Sequence, residues 1–124
     1  MIKNISTENA PAAIGPYSQA IVYDKLLFTS GQISLDPKTG NIIGEDICSQ
    51  TEQVMKNLAA VLSAAGTCFE NVIKTTCFLA DMGDFAQFNK VYEGYFVSKP
   101  ARSCVAVKTL PKNVLVEVEL IAEI

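Results

Sequence analysis

The chain contains no histidine. Without imidazole there is no Ser-His-Asp triad, no Cys-His pair, no His-Glu-x-x-His zinc site and no histidine general base. Any chemistry must therefore come from carboxylate, tyrosine, lysine, arginine, thiol or backbone groups. Charge is also scarce: charged residues make up 19% of the 124 residues, against about 25% in a typical soluble domain. Cys48, Cys68, Cys77 and Cys104 form no Cys-x-x-Cys pair, which argues against a zinc ribbon and a thioredoxin-like motif and leaves free thiols in a reducing compartment. No uncharged apolar run approaches the ~18 residues of a membrane span. The stretch from Met1 to Glu8 turns polar too early for a signal peptide and has no arginine-rich amphipathic pattern, so the expected location is cytoplasmic.

What is present is apolar. Hydrophobic residues make up 49% of the chain, and 124 residues are one domain's length, so residues 1–124 are expected to form a single domain. A surface so short of charge predicts that part of the apolar surplus is buried between subunits. The net charge is −3, the pI is about 4.9, and no two of the ten Lys and Arg residues are adjacent. Nucleic-acid binding needs a basic footprint that displaces counterions, so this balance opposes it.

Along the chain, Ser18 to Tyr23 and Leu26 to Ser30 read as a β-hairpin, and Asp36-Pro37-Lys38-Thr39-Gly40 reads as a turn. Val54, Leu58, Val61, Leu62 and Ala65 recur at helical spacing, so Cys48 to Ala65 reads as a helix with Asp46 as N-cap and Gly66 beyond its C-terminus. Val72 to Ala80 reads as a strand. Asp84 is the expected cap of a second helix with Phe85, Phe88, Val91, Tyr92 and Tyr95 as its apolar stripe. Ser103 to Val107 and Leu115 to Ala122 read as closing strands. This order predicts an α+β fold, one mixed sheet with both helices on one face.

Few side chains stand out chemically. Glu117 and Glu119 share one face of the last strand by period two, a pattern that also fits the solvated side of an amphipathic strand. Arg102 follows Pro100-Ala101, which holds the chain extended; its guanidinium could clamp a carboxylate through two parallel bonds, or simply decorate the surface. Cys104 points the same way as Arg102 but has no neighbouring base in sequence, so it reads as a site wall rather than a nucleophile. Gly15-Pro16-Tyr17-Ser18 and Ser30-Gly31 are breaks that could offer backbone N–H groups and hydroxyls to an anion, or serve only as turns.

Taken as an ordered set, Ala13 to Ala20 (AIGPYSQA), Phe28 to Ile33 (FTSGQI), Leu35-Asp36-Pro37-x-Thr39-Gly40, Val72 to Thr76 (VIKTT), Phe88-Asn89-x-Val91-Tyr92 and Pro100-Ala101-Arg102-Ser103 resemble the Rid/YjgF family, in register from about Asn9 to Ala122. The resemblance implies a chorismate-mutase-like fold, a homotrimer and clefts at the subunit interfaces. It implies hydrolysis of short enamine or imine acids to 2-keto acids and ammonia without metal or cofactor. Arg102 would bind the substrate carboxylate and Glu117 would activate water, with Tyr17, Ser30, Gly31, Asn89 and Cys104 lining the pocket. Relatives have also been described as ligand-binding or chaperone-like modules and as endoribonucleases or translation inhibitors, and both remain alternatives. The chain departs from the family pattern at Ala106, commonly Glu, and at Val118, commonly Ile or Met; the first bears on substrate preference.

Overall fold

The computed structural model describes residues 1–124. Six strands form one sheet: β1 Ile2–Ile5, β2 Ala20–Tyr23, β3 Leu26–Thr29, β4 Val72–Leu79, β5 Ala101–Ala106 and β6 Val116–Glu123. Their order across the sheet is β1-β2-β3-β6-β4-β5, and only β4 and β5 run parallel. Parallel neighbours need a crossover, supplied between β4 and β5 by helix α2, Phe85–Tyr95. Helix α1, Ile47–Ala64, connects β3 to β4, and β6 inserts between those two strands.

Both helices cover the same face. Val54, Met55, Leu58, Val61 and Leu62 of α1 and Phe88 and Tyr92 of α2 pack with Leu27, Val72, Cys77, Leu79, Val116, Val118 and Leu120 from the sheet. Local chemistry starts α1 as expected: the Asp46 side chain accepts from the Ser49 N–H at 2.7 Å, and the Ser49 hydroxyl reaches back to the Asp46 N–H. Gly66 follows the helix at φ +79°, where a side chain would be strained.

Two details differ from the sequence expectation. Asp84 occupies the N-cap position of α2 but makes no capping bond with its side chain. Asp81 accepts from the Gly83 N–H at 2.8 Å instead, closing a 3-10 turn over Met82–Asp84 that leads into the helix. Strand β1 carries no sequence signal, since only Ile5 of its four residues is buried.

The opposite face of the sheet has no covering layer within the chain. Strand register puts Phe28 beside Ile121, and Glu117 beside Phe78, which in turn neighbours Val105. Phe28 is 39% and Val105 49% exposed there, a poor arrangement for an isolated subunit. No helix is long and apolar enough to cross a membrane.

Candidate active site

Residue parity along β5 and β6 divides the candidate residues into two groups. On the helix-covered face, Arg102 pairs across β4 with Thr75, and Cys104 pairs with Cys77. On the open face lie Glu117 and Glu119, opposite Phe78 and Thr76. Within one chain the guanidinium and the Glu117 carboxylate therefore point away from each other and do not share a cleft.

The Glu117 side is a cleft of about 650 Å³ whose lining includes Tyr17, Ser30, Gly31, Lys112, Glu117 and Glu119. It exists because β3 breaks at Ser30-Gly31 and the chain resumes pairing at Gln32, which exchanges two backbone bonds with Val118 at 2.9 and 3.1 Å. Glycine at the break leaves room for the Glu117 side chain against the backbone: a Cβ on Gly31 would come 2.8 Å from the Glu117 Cδ, so the carboxylate would have to move from its place. The Ser30 hydroxyl donates to the Ser18 carbonyl at 2.6 Å. Ser30 thus anchors the Tyr17-Ser18 segment, and its own proton is committed.

A residue that sequence reasoning passed over holds the other wall. Gln19 is buried, and its Nε2 donates to the carbonyls of Thr7, Ala10 and Pro11 at 3.0, 3.3 and 2.7 Å, while its Oε1 accepts from the Thr7 N–H at 2.7 Å. These bonds pin the loop that delivers Pro11, Ala12 and Ile14 to the cleft. The sequence shows only an ordinary glutamine inside a motif.

Burial pushes the Glu117 carboxyl above its usual value, and the negative charge of Glu119 adds to the rise. A carboxyl shifted in this direction is a better proton acceptor near neutral pH while still ionised. The shift also links to stability. Because the folded value exceeds the unfolded one, the stabilising contribution is present at low pH and is lost as pH rises through the folded value, when a half-buried carboxylate must carry charge. Glu117→Gln is expected to raise the melting temperature at about pH 8 and to change it little at about pH 3, where Glu117 is protonated in both states. Thermal melts at the two pH values check this; an equal change at both would contradict the linkage.

On the other face, the Arg102 Nη1 donates to Asn89 Oδ1 at 2.7 Å. Its Cζ lies 4.8 Å from the Tyr92 ring centroid and 5.3 Å from that of Phe85. Phe85, Asn89 and Tyr92 stand at i, i+4 and i+7 of α2, so one helix face contacts the guanidinium. That spacing was visible in the sequence, but apolar periodicity assigned both rings to core packing and left their contact with Arg102 unseen. A shallow pocket of about 390 Å³ exposes this group, lined by Asn89, Tyr92, Glu93, Phe96, Lys99, Pro100 and Arg102.

The half-buried Cys104 lies on the Arg102 side. Burial raises its thiol pKa and the Arg102 charge only partly opposes the rise, so the thiol stays protonated at neutral pH, as suits a wall. Cys77, its neighbour on β4, is pushed up to about 12, chiefly by burial. No group of three or more His, Cys, Asp or Glu side chains is arranged to hold a metal ion.

Comparison with known proteins fits this architecture. The model of the endoribonuclease L-PSP family matches residues 7–124. A RutC family protein of Pyrococcus horikoshii is 57% identical over 119 residues, covering 95% of this chain and 94% of that protein. The 2-iminobutanoate/2-iminopropanoate deaminase of Salmonella typhimurium is 48% identical over 126 residues, covering 98% of each. Among solved structures, a Rid family protein from Yersinia pestis superposes with a TM-score of 0.97 at 48% identity over the whole of both chains. A match spanning nearly all of the chain, at this identity and with this sheet order, places the protein in the endoribonuclease L-PSP family, to which the Rid/YjgF proteins that its motifs resemble belong.

Proposed function

We propose that the protein is a hydrolytic deaminase of small imine acids, and that its working site is assembled from two copies of the chain, Arg102 coming from one and Glu117 from the next. The observation that carries this reading is the division just described: a preorganised guanidinium on one face and a carboxyl with raised pKa on the other, each in a half-lined cleft. The exposed Phe28 and Val105 on the open face, together with the low charge content, support a second copy packing there. A closed ring of three such copies gives three equivalent clefts.

In this reading a 2-iminopropanoate or 2-iminobutanoate molecule, formed by tautomerisation of an enamine such as 2-aminoacrylate, places its carboxylate on Arg102. The planar guanidinium can offer two parallel N–H donors beyond the one held by Asn89. Glu117 accepts a proton from a water as its oxygen bonds to the imine carbon. The nitrogen takes up the proton that Glu117 accepted and then that of the new hydroxyl as the carbonyl forms and the carbinolamine C–N bond breaks, so keto acid and ammonia leave and Glu117 is again a carboxylate. An imine carbon is already electrophilic, so positioning plus general-base help of roughly 10²–10⁴-fold suffices. Tyr17, Gly31, Asn89 and Cys104 shape the cavity, with Ser30 fixing Tyr17.

The deaminase name of the Salmonella relative supports the reaction class. The family description as an endoribonuclease finds less support here: the net charge is −3 and Glu117 and Glu119 together line the larger candidate cleft, where they would repel phosphates. A non-catalytic binding role has one feature in its favour, the 74% exposed Ile14 and 51% exposed Tyr17 at the cleft mouth.

A single assay decides between turnover and binding. With 2-aminoacrylate generated in place by a serine dehydratase, adding the protein should accelerate pyruvate and ammonia release over the spontaneous rate. Unchanged release with an active dehydratase would leave the binding role as the better reading.

A further inference from the structure

The rings around Arg102 are themselves held by a polar contact that core packing does not require. Thr75 Oγ1 and the Tyr92 hydroxyl lie 2.8 Å apart, with Thr75 fully buried and Tyr92 8% exposed. A buried hydroxyl pair must be mutually satisfied to avoid a desolvation cost, and a Val–Phe pair would fill similar space with no polar group to satisfy. What the hydroxyl pair adds is direction. It ties the far end of the Tyr92 ring to β4, while the ring stacks on Phe96 at 4.4 Å and 29°.

The position of that tie is specific. Thr75 is the Cα partner of Arg102 across the parallel β4–β5 pair. The strand residue that anchors the ring is thus the neighbour of the residue that carries the guanidinium. The connection closes: Thr75 to the Tyr92 hydroxyl, the Tyr92 ring to the Arg102 Cζ at 4.8 Å, and Arg102 back along β5 to its place beside Thr75. Asn89 and Phe85 hold the guanidinium from the same helix.

We infer that Tyr92, held by Thr75, is a positioning residue that sets the plane of the Arg102 guanidinium for a ligand carboxylate; the inference rests on Arg102 being the carboxylate clamp. A long arginine side chain free to rotate loses much of its advantage for planar two-point recognition, and a ring fixed against it removes that freedom before the ligand arrives. The binding preference that follows is for carboxylate over an uncharged isostere, with the loss appearing in KM rather than kcat.

The test compares pyruvate, a product of the proposed reaction, with pyruvamide as competitive inhibitors of imine hydrolysis by the wild-type assembly, Tyr92→Leu, Tyr92→Phe and Thr75→Val. Removing the ring should weaken pyruvate by about tenfold and removing only the tie by about threefold, with pyruvamide unchanged within about twofold. KM for the imine acid should rise in parallel while kcat stays within about threefold. If Tyr92→Leu does not fold, the near-isosteric Tyr92→Phe and Thr75→Val carry the test. Equal weakening of both inhibitors would make the ring an ordinary wall, and no weakening of either would remove its role; each overturns the inference. A wild-type protein that does not favour pyruvate over pyruvamide would overturn the Arg102 reading itself and this inference with it. A clear wild-type preference retained by all three variants would overturn the positioning role alone.

Discussion

Arg102→Ala is expected to lower kcat/KM for an imine acid by about 10³-fold. Two charge-assisted hydrogen bonds to a carboxylate contribute about 1.5–3 kcal/mol each, and each 1.36 kcal/mol is a factor of ten in rate. The carboxylate is as negative in the bound substrate as in the transition state, so most of the loss should appear in KM. Arg102→Lys should recover little: a single ammonium cannot present two parallel donors, and it would lose the position of the guanidinium Cζ 5.3 Å from the Phe85 ring centroid and 4.8 Å from that of Tyr92. Initial rates of keto-acid formation across imine concentrations measure both variants, with melting curves to show that each remains folded. A folded Arg102→Ala protein within threefold of wild type would remove the clamp from the proposal.

This prediction depends on a side chain whose surroundings were only partly legible. Arg102 and Asn89 are quoted by sequence motifs, and a two-residue period correctly puts Cys104 on the same side as Arg102. Period two also gives the buried set Val116, Val118, Leu120 and Ala122 of β6, because one side of that strand packs on the core and the other does not. Helix α1 was legible for a similar reason, its apolar stripe being bounded by Asp46 and Gly66.

What remained hidden was long-range. Nothing local in Leu26–Thr29 or Val72–Leu79 indicates that β6, some forty residues beyond β4, inserts between them. Without that order the register of β5 against β6 is unknown, and with it the fact that Arg102 and Glu117 face opposite ways. The Gln19 clamp was hidden for another reason: its four bonds go to a loop with no regular pattern, so no periodicity announces them. The Asp84 cap failed because two aspartates stand three residues apart and the turn geometry lets Asp81, not Asp84, reach a free N–H.

The opposition of Arg102 and Glu117 within one chain leads to the second large effect, one that a self-contained site could not produce. At imine concentrations well below KM, Arg102→Ala and Glu117→Ala homo-oligomers should each be nearly inactive, whereas the two chains assembled together in equal amounts should recover about one quarter of wild-type activity. Each site takes its arginine from one chain and its carboxylate from a neighbour, and random assembly supplies an intact residue from each with probability one half. The reciprocal mixture sharpens the result. A chain carrying both substitutions, mixed equally with wild type, should leave about a quarter of the sites intact if they are shared between chains and about half if each chain holds its own. Co-expression under two affinity tags, with mixed oligomers isolated by tandem purification and composition checked by mass spectrometry, gives the assembly; purified hetero-oligomers fall outside random statistics, so the unfractionated mixture is assayed for the fractions. No recovery in the first mixture and one-half activity in the second would mean that the residues of each face act alone, and the hydrolysis proposed for their meeting would have no site in which to occur.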